Sequence, residues 1–274
     1  MQKTLGSTFT LKGVGLHTGE VCSVKIYPSE QFGYRVRLGD EFVLISHSTL
    51  QGGVLGSNIS MPMGEVIKTV EHFLSALYAS GVTNADFEVS GGEMPIMDGS
   101  SVVFLDLIET VGVRNLGVPI VKKRLSEEVL VSGDDGKFIS IKQRDDYKKI
   151  INVAIDFDHP VVDDMPQAIC YEHSVCAYKT KISLARTFGF QKDIERLLAQ
   201  KLCIGGSTKN AVVISDDGIL NPDGLRVDNE LVAHKLLDVL GDLCPVLIQM
   251  DGYEINAFKP GHALNNQLLK KVSG

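Results

Sequence analysis

One short segment near the C-terminal end constrains this chain most strongly: His234–Leu243, with the sequence HKLLDVLGDL. On a helix of about 3.6 residues per turn, its leucines and valine form one continuous apolar face. The opposite face carries, within about a quarter turn, an imidazole, two carboxylates and an ammonium, from His234, Asp238, Asp242 and Lys235. His234 and Asp238 lie four residues apart, so their side chains meet on the helix surface. The segment therefore predicts a helix with an apolar face against a core and two potential ligands of one metal ion opposite.

Length, charge and cysteine content exclude several classes of protein. The 274 residues suffice for one large domain or two of ordinary size. A net charge of -7 argues against non-specific nucleic-acid binding, which needs a basic surface. The 5 cysteines are scattered, which argues against a disulfide framework and predicts a reducing compartment. With no apolar leader and no stretch near the ~18 apolar residues of a membrane span, we expect a cytoplasmic protein without stable membrane insertion. We expect a monomer, although the sequence contains no feature that determines the oligomeric state.

A weak internal duplication predicts an α+β fold of two similar domains. Counted from His72 and from His234, both segments run helix, strand, glycine-containing loop and helix. Sequence identity between them is low, so coincidence stays open as an alternative. We place the boundary so that residues 1–117 form the first α+β domain and residues 118–274 the second, each a β-sheet layered with helices. A site at their junction would draw on both, as clefts between domains often do.

The apolar pattern gives expected bounds for the elements that carry the motifs. In the first domain we expect a strand over 21–27, a helix over 70–80 that Thr69 caps and Gly81 ends, a strand over 86–89 and a helix over 102–110. In the second we expect strands within 118–158, helices over 193–200 and 234–243, an apolar strand over 246–250 and a final helix after Gly261.

A third metal ligand must come from elsewhere, because zinc in hydrolases usually takes three protein ligands and keeps a fourth position for water. His72, within Lys68–His72 (KTVEH), is the best candidate. Zinc lowers the pKa of such a water to about 7, so the neighbouring Glu71 could act as general base. In the first turn of a helix, however, the dipole favours the Glu71 anion and lowers its basicity. An H-x-x-x-D pair on a helix is often only a satisfied surface pair, and these residues alone leave that alternative open.

His262 opens the last predicted helix, where the positive end of the dipole disfavours an imidazolium. Asp242, on the reactive face of the preceding helix, could restore the charge. A cationic His262 could then stabilise an oxyanion or protonate a leaving amine. A capping or packed histidine is the alternative.

Seven motifs in order carry a resemblance to a known family. They are Gly13–Gly19 (GVGLHTG), Lys68–His72 (KTVEH), Met94–Ser100 (MPIMDGS), Ala185–Phe188 (ARTF), Gly205–Ser207 (GGS), His234–Asp238 (HKLLD) and Gly261–Asn265 (GHALN). The chain resembles the UDP-3-O-acyl-N-acetylglucosamine deacetylases, zinc amidases of lipid A biosynthesis, over essentially its whole length. The resemblance implies two similar domains with the site at their junction. It also implies hydrolysis of the 2-acetamido group of a UDP-linked, 3-O-acylated glucosamine, the committed step of that pathway.

By motif match, the resemblance implies His72, His234 and Asp238 as ligands of one catalytic zinc ion. Two histidines and a carboxylate also accept Fe(II), so the native metal stays open. Glu71 would be the general base.

The resemblance implies four further catalytic residues. His262 would be the cationic acid or oxyanion stabiliser, and Asp242 would orient it. Thr187 would hydrogen-bond the tetrahedral intermediate, and Lys235 would add positive charge beside it.

Six substrate contacts follow from the same resemblance. Phe188 would lie against the sugar, and Phe157 would stack on uracil beside Asp156. The others would contact the phosphates or the nucleotide end: Lys137, Lys259 and His17.

Three further matches concern the surroundings. The insert near 190–206 would form an apolar passage for the acyl chain, with a plain amphipathic helix as the alternative. His47 matches a histidine close to the metal in some members, where it could bind an inhibitory second zinc. Asp98-Gly99-Ser100 is interpreted as a tight turn and helix cap.

Two other functions stay open on the residues alone: a zinc hydrolase of another amide, and a nucleotide-sugar binding module without catalysis. A chelator separates the second from an enzyme. A substrate without the acyl chain distinguishes a hydrolase of another amide from the deacetylase. Only the deacetylase should turn it over much more slowly, because burying the chain contributes roughly 0.8 kcal/mol per CH₂.

Overall fold

The computed structural model describes residues 1–274 as two domains, each a β-sheet with helices layered on it, which confirms the predicted α+β class. The first half of the chain contains β1 (Lys3–Leu5), β2 (Phe9–Val14), β3 (Val21–Pro28), β4 (Gly33–Leu38), β5 (Glu41–Leu44), β6 (Leu50–Gly52), β7 (Ser57–Ser60), β8 (Val66–Ile67), α1 (Glu71–Ala79), β9 (Asn84–Ser90), α2 (Val102–Val111) and β10 (Val113–Asn115). The second half contains β11 (Val129–Ser132), β12 (Phe138–Gln143), β13 (Lys149–Ala154), α3 (Pro160–Asp163), β14 (Ala168–Glu172), α4 (Val175–Lys181), β15 (Phe188–Phe190), a 3₁₀ turn (Gln191–Asp193), α5 (Ile194–Ala199), β16 (Val212–Ser215), β17 (Gly218–Ile219), α6 (Glu230–Leu247), β18 (Tyr253–Phe258) and α7 (His262–Ser273).

The first sheet has the strand order β10-β1-β9-β3-β2, with β4 also paired to β9 and β5 to β4. Strand β3 alternates as a half-buried strand should, with Cys22, Val24 and Ile26 facing the core. The ring of Phe73 in α1 contacts those of Phe87 and Phe104, at centroid distances of 5.1 and 5.5 Å. These contacts hold α1 and α2 against the sheet.

The second sheet has the order β11-β12-β18-β13-β14 and is covered by α6 and α7. Strand β18 runs antiparallel to β12 and parallel to β13, so that Ile255 lies between Ile141 and Ile151. All three isoleucines are fully buried. Two smaller sheets, β6-β7-β8 and β15-β16-β17, lie outside this layer and supply segments of the site.

The two domains meet where the start of α1 crosses the middle of α6. Gly241 makes this approach possible, because a Cβ atom there would lie 2.1 Å from the carbonyl oxygen of Glu71. A residue without a side chain therefore lets the N-terminal turn of α1 rest directly on α6. Away from the crossing, the hydroxyls of Tyr78 and Tyr253 lie 2.5 Å apart and also join the two halves.

The predicted order of helix, strand, loop and helix occurs in both halves, as α1-β9-α2 and as α6-β18-α7. The boundary between residues 117 and 118 remains a prediction. It falls in the segment between β10 and β11, which contributes no strand to either sheet.

Two details of the predicted elements are wrong. The residues at 246–250 form no strand, because Val246 and Leu247 continue α6 past Pro245 and the apolar strand is β18. A short apolar run has no periodicity that separates a strand from a buried helix.

Thr69 does not cap α1 either. The N-cap is Val70, while Thr69 has a φ of 59° and its hydroxyl donates to Oε1 of Glu93 at 3.0 Å. Gly81 follows the helix with a φ of 73°, which confirms the predicted stop. None of the helices combines the length and apolar character needed to span a bilayer.

Candidate metal centre and its surroundings

Three buried side chains from two helices converge on one point. His72 lies in the first turn of α1, and His234 and Asp238 lie one turn apart on α6. Their potential ligand atoms all lie within 4.8 Å of one another. Oδ1 of Asp238 is 3.8 Å from Nε2 of His72 and 3.5 Å from Nε2 of His234. The structure thus brings together the three residues predicted as ligands.

Both imidazoles are held neutral. Burial, with a smaller contribution from His234, lowers the pKa of His72 to about 3. Burial also lowers the pKa of His234, whose Nδ1 lies 3.0 Å from the carbonyl oxygen of Ala185. A proton on that Nδ1 leaves the Nε2 lone pair of His234 directed at the point of convergence. Neutral imidazoles of this kind are ligands rather than acids.

Asp238 supplies the negative charge. Burial acts to raise its pKa, but nearby positive charge, above all that of Lys235, outweighs burial, and the pKa lies below its ordinary value. Nζ of Lys235 donates to Oδ2 at 2.7 Å, whereas the buried Oδ1 has no hydrogen-bond partner. An unpaired buried carboxylate oxygen is costly. An anionic oxygen and two nitrogen lone pairs facing one point fit a divalent cation such as Zn²⁺ or Fe(II).

Glu71 lies beside this cluster with its carboxylate buried. Its Oε2 accepts a hydrogen bond from the backbone N–H of Ser57 at 2.9 Å. Burial raises the pKa of Glu71 to about 7, while the nearby His262 acts to lower it. A carboxyl group with a pKa near neutrality is suited to accepting and returning a proton.

His262 and Asp242 form a second buried pair beside the cluster. Nδ1 of His262 lies 2.9 Å from Oδ2 of Asp242. Burial acts to lower the pKa of His262, but Asp242 outweighs it and the pKa rises to about 9. The ring is therefore an imidazolium at neutral pH. Its Nε2 lies 3.9 Å from Oδ2 of Asp238, next to the three-residue cluster.

Thr187 is held in place by a turn from the first half of the chain. Its N–H donates to the carbonyl oxygen of Gly99 at 2.8 Å. Gly99 has a φ of 85°, and a Cβ atom there would lie 1.8 Å from the carbonyl oxygen of Asn210. On the preceding residue, the guanidinium of Arg186 pairs with the carboxylate of Glu230 at 2.7 Å. The tight turn predicted at Asp98–Ser100 is present, because the N–H of Gly99 donates to the carbonyl oxygen of Ile96 at 2.9 Å. The predicted helix cap is wrong, because the N-cap of α2 is Ser101.

Aromatic rings extend the site away from the cluster. The ring of Phe188 lies 6.2 Å from that of His234 and 5.4 Å from that of Phe157. Phe157 also contacts Phe190 at 5.5 Å. The two phenylalanines predicted to contact substrate are thus in contact with each other.

The charged residues predicted to contact nucleotide lie at one end of the second sheet. Nζ of Lys259 is 2.7 Å from Oδ2 of Asp156. Lys137 is exposed in the turn before β12, and the pairing of Phe138 with Phe258 places it next to Lys259. None of the three contacts the metal-ligand candidates.

His17 joins the first domain to the segment after α5. Its backbone N–H donates to Oε1 of Glu93 at 2.8 Å, and its carbonyl oxygen accepts from the N–H of Ile204. Burial lowers its pKa. In the insert, α5 exposes Ile194 and Leu198, and the apolar passage remains a prediction.

His47 is not close to the cluster, contrary to expectation. It is exposed and lines a separate cavity with Pro245, Ile248 and Lys123, beyond the C-terminal end of α6. About ten residues separate Asp238 from that end, which is about 15 Å along the helix axis. A second metal position that uses His47 together with the cluster is therefore excluded.

Two residues of the site escaped prediction. The hydroxyl of Ser57 donates to Oδ1 of Asp242 at 2.5 Å, and Nδ2 of Asn265 donates to its Oδ2 at 2.8 Å. Asn265 lies three residues after His262, so helical spacing could have indicated it. Ser57 lies in Gly56-Ser57-Asn58, and its sequence context carries no comparable signal.

The fold and the site together define a metal-dependent hydrolase whose centre is formed between two α+β domains. The family model for UDP-3-O-acyl N-acetylglycosamine deacetylase matches residues 2–273. UDP-3-O-acyl-N-acetylglucosamine deacetylases of Pseudomonas entomophila and Alcanivorax borkumensis are each 38% identical over 275 residues, covering 99% of this chain and 89% of theirs. That of Hahella chejuensis is 38% identical and is covered to 90%. The chain therefore belongs to the UDP-3-O-acyl N-acetylglycosamine deacetylase family, and the resemblance carried by the seven motifs is confirmed.

Proposed function

We propose that this protein hydrolyses the 2-acetamido group of UDP-3-O-acyl-N-acetylglucosamine, giving UDP-3-O-acyl-glucosamine and acetate in lipid A biosynthesis. The observation that carries the proposal is the convergence of His72, His234 and Asp238 on one point. Beside them lie Glu71 and His262, a candidate base and a candidate acid. Burial raises the pKa of Glu71 to about 7 and Asp242 raises that of His262 to about 9. One group can therefore accept a proton at neutral pH while the other donates one.

His72, His234 and Asp238 would hold one catalytic zinc ion, with Fe(II) as the alternative for the same donors. When bound, such a cation supplies a Lewis acid that polarises an amide carbonyl and acidifies water. The orphaned Oδ1 of Asp238 and the two neutral imidazoles support this assignment.

Glu71 would take the proton of the attacking water on its carboxylate. The backbone N–H of Ser57 holds that carboxylate at 2.9 Å and keeps it in place. His262 would direct its Nε2 proton at the developing oxyanion or at the leaving amine, while Asp242 keeps Nδ1 engaged at 2.9 Å. His262 would serve the oxyanion while the tetrahedral intermediate forms, and the amine when the C–N bond breaks.

Thr187 and Lys235 would stabilise the charge that develops on the substrate. The hydroxyl of Thr187 is the candidate donor to the tetrahedral intermediate. The ammonium of Lys235, which Asp238 holds at 2.7 Å, adds positive charge at the same place.

The substrate would extend from the cluster toward the second sheet. Phe188 would lie against the sugar, and Phe157 with Asp156 would receive the uridine. Phosphate oxygens would be recognised by the charges of Lys259 and Lys137, and His17, whose pKa burial lowers, would contact the nucleotide end as a neutral imidazole. The insert near 190–206 would guide the acyl chain. We further propose a monomer that works in the reducing cytoplasm, and the five free cysteines support that compartment.

Deacetylation of UDP-3-O-acyl-N-acetylglucosamine with acyl chains of graded length tests the function. We expect turnover with about one zinc per chain, loss of turnover with a chelator, and much lower kcat/KM for a substrate without the acyl chain. His72→Ala should lose both the metal and the turnover. Equal kcat/KM for the substrate without the chain would indicate a general amidase. Binding of UDP with no metal-dependent turnover would indicate a binding module.

A further inference from the structure

A buried serine from the first domain contacts Glu71 through its backbone and the Asp242–His262 pair through its hydroxyl. Ser57 begins β7 and is 1% exposed. Its backbone N–H donates to Oε2 of Glu71 at 2.9 Å. Its hydroxyl donates to Oδ1 of Asp242 at 2.5 Å and lies 3.4 Å from Nδ1 of His262. One residue therefore contacts both the carboxylate of the base and the pair that contains the acid.

The carboxylate of Asp242 is held by donors on both oxygens. Oδ2 receives Nδ1 of His262 at 2.9 Å and Nδ2 of Asn265 at 2.8 Å. Oδ1 receives the hydroxyl of Ser57. Donors on both oxygens prevent rotation of the carboxylate plane, and that plane sets the direction of the His262 ring. Without the hydroxyl, a buried acceptor would lose its partner, which favours rotation toward the remaining donors.

The backbone around Ser57 is itself fixed to α1. The carbonyl oxygen of Ser57 accepts the N–H of Val70, the residue that caps α1, at 3.1 Å. The preceding turn is closed by a hydrogen bond from the N–H of Gly53 to the carbonyl oxygen of Gly56 at 2.7 Å. A Cβ atom on Gly56 would lie 2.9 Å from Oε1 of Glu71, so the turn lies directly against that carboxylate. The hydroxyl of Ser57 therefore has a defined position relative to Glu71.

We propose that Ser57 is a positioning residue, whose hydroxyl fixes the carboxylate of Asp242 and, through it, the ring of His262 relative to Glu71. The inference rests on the proposed roles of Glu71 and His262. Ser57 does not belong to the predicted metal-ligand or substrate-contact residues. Its loss should therefore affect the chemical step, since small errors in the placement of reacting groups cost large factors in rate.

Ser57→Ala tests this because it removes the hydroxyl and keeps the backbone N–H to Glu71. We expect kcat to fall about tenfold or more, with KM within about twofold of the unchanged protein. Metal content and the midpoint of thermal unfolding should stay close to those of the unchanged protein. Ser60→Ala is the matched control, because Ser60 lies on the same strand and its backbone N–H bonds Thr49, away from the site. The control should keep full kcat.

A double-mutant cycle separates positioning from a general structural effect. If Ser57 acts through Asp242, Ser57→Ala should change kcat by less than about twofold in an Asp242→Ala background. His262→Ala provides a second background should Asp242→Ala fail to fold, with the same expectation. An equal loss of kcat in the single variant and in both backgrounds would overturn the inference, as would a rise in KM alone. Absence of turnover in the unchanged protein would instead contradict the proposed function.

Discussion

The His72–His234–Asp238 cluster and the Lys137–Asp156–Lys259 end of the second sheet are built in different ways. The side chain of Asp238 is 3% exposed, whereas that of Asp156 is 55% exposed. The cluster sits on two helices that a glycine brings into contact, while the charged end sits where strands stop and turns begin. The cluster has fixed geometry and perturbed pKa values, and the sheet end has solvated charges. The difference separates a region suited to bond breaking from one suited to recognition.

Glu71→Gln should produce the largest effect and tests whether the buried region performs the chemistry. Removing a general base typically costs roughly 10²–10⁴-fold in rate. We expect kcat to fall within that range while the metal content and KM stay close to those of the unchanged protein. Unchanged turnover in Glu71→Gln would show that Glu71 is not the general base. It would also argue against the assignment of catalysis to the buried cluster.

The pH dependence of kcat/KM should also report the buried region. Glu71 must be deprotonated to accept a proton, so activity should be lost as pH falls through its pKa of about 7. His262 must be protonated, so activity should be lost as pH rises through its pKa of about 9. We expect a bell-shaped profile with about tenfold loss per pH unit beyond each limb. In Glu71→Gln the acidic limb should disappear, and its persistence would assign that limb to another group.

Gly241→Ala should disturb the contact between the helices on which the cluster is built. The added Cβ would meet the carbonyl oxygen of Glu71 at 2.1 Å, and backbone atoms cannot rotate away. We expect the free energy of unfolding to fall by about 1–3 kcal/mol, with weaker metal binding because His72 follows Glu71. Gly189→Ala is the control, since a Cβ there meets nothing within 4 Å. Equal stability of both variants in denaturant titrations would contradict the tight crossing.

The smallest effects should come from the sheet end. Lys259→Ala should raise KM about tenfold and Lys137→Ala about threefold, both with unchanged kcat, because the charge of Lys259 is partly buried whereas that of Lys137 is exposed and screened by solvent. The increase should shrink at high salt. Lys142→Ala is the control and should leave KM unchanged, because Lys142 lies at the other end of β12 and pairs with Glu254. A fall in kcat for Lys259→Ala would show that the sheet end contributes to the chemical step as well as to substrate binding.

Spacing within one helix was readable from the sequence, and contacts between distant segments were not. His234 and Asp238 were predictable as a pair because α6 enforces their separation. The sequence does not show that Thr69 is no cap, because its hydroxyl donates to Glu93, which is distant in sequence. Nor does it show that the apolar run after Pro245 continues a helix, because burial in a helix and in a strand produce the same pattern.

The surroundings of the cluster show the same limit. The motif match predicts His47 near the ligands, whereas His47 lies at the C-terminal end of α6. Ser57 was missed because its importance depends on Asp242, which is 185 positions away in the chain. The domain boundary and the acyl passage remain predictions.

The ligand candidates come from opposite sides of the seam between the domains, His72 from one and His234 with Asp238 from the other. A cation held there would act as a cross-link, so its occupancy would add to the cohesion of the whole molecule by mass action. A cell short of that metal would then hold a looser chain that proteases cut sooner. The abundance of the enzyme would follow the supply of its own ion.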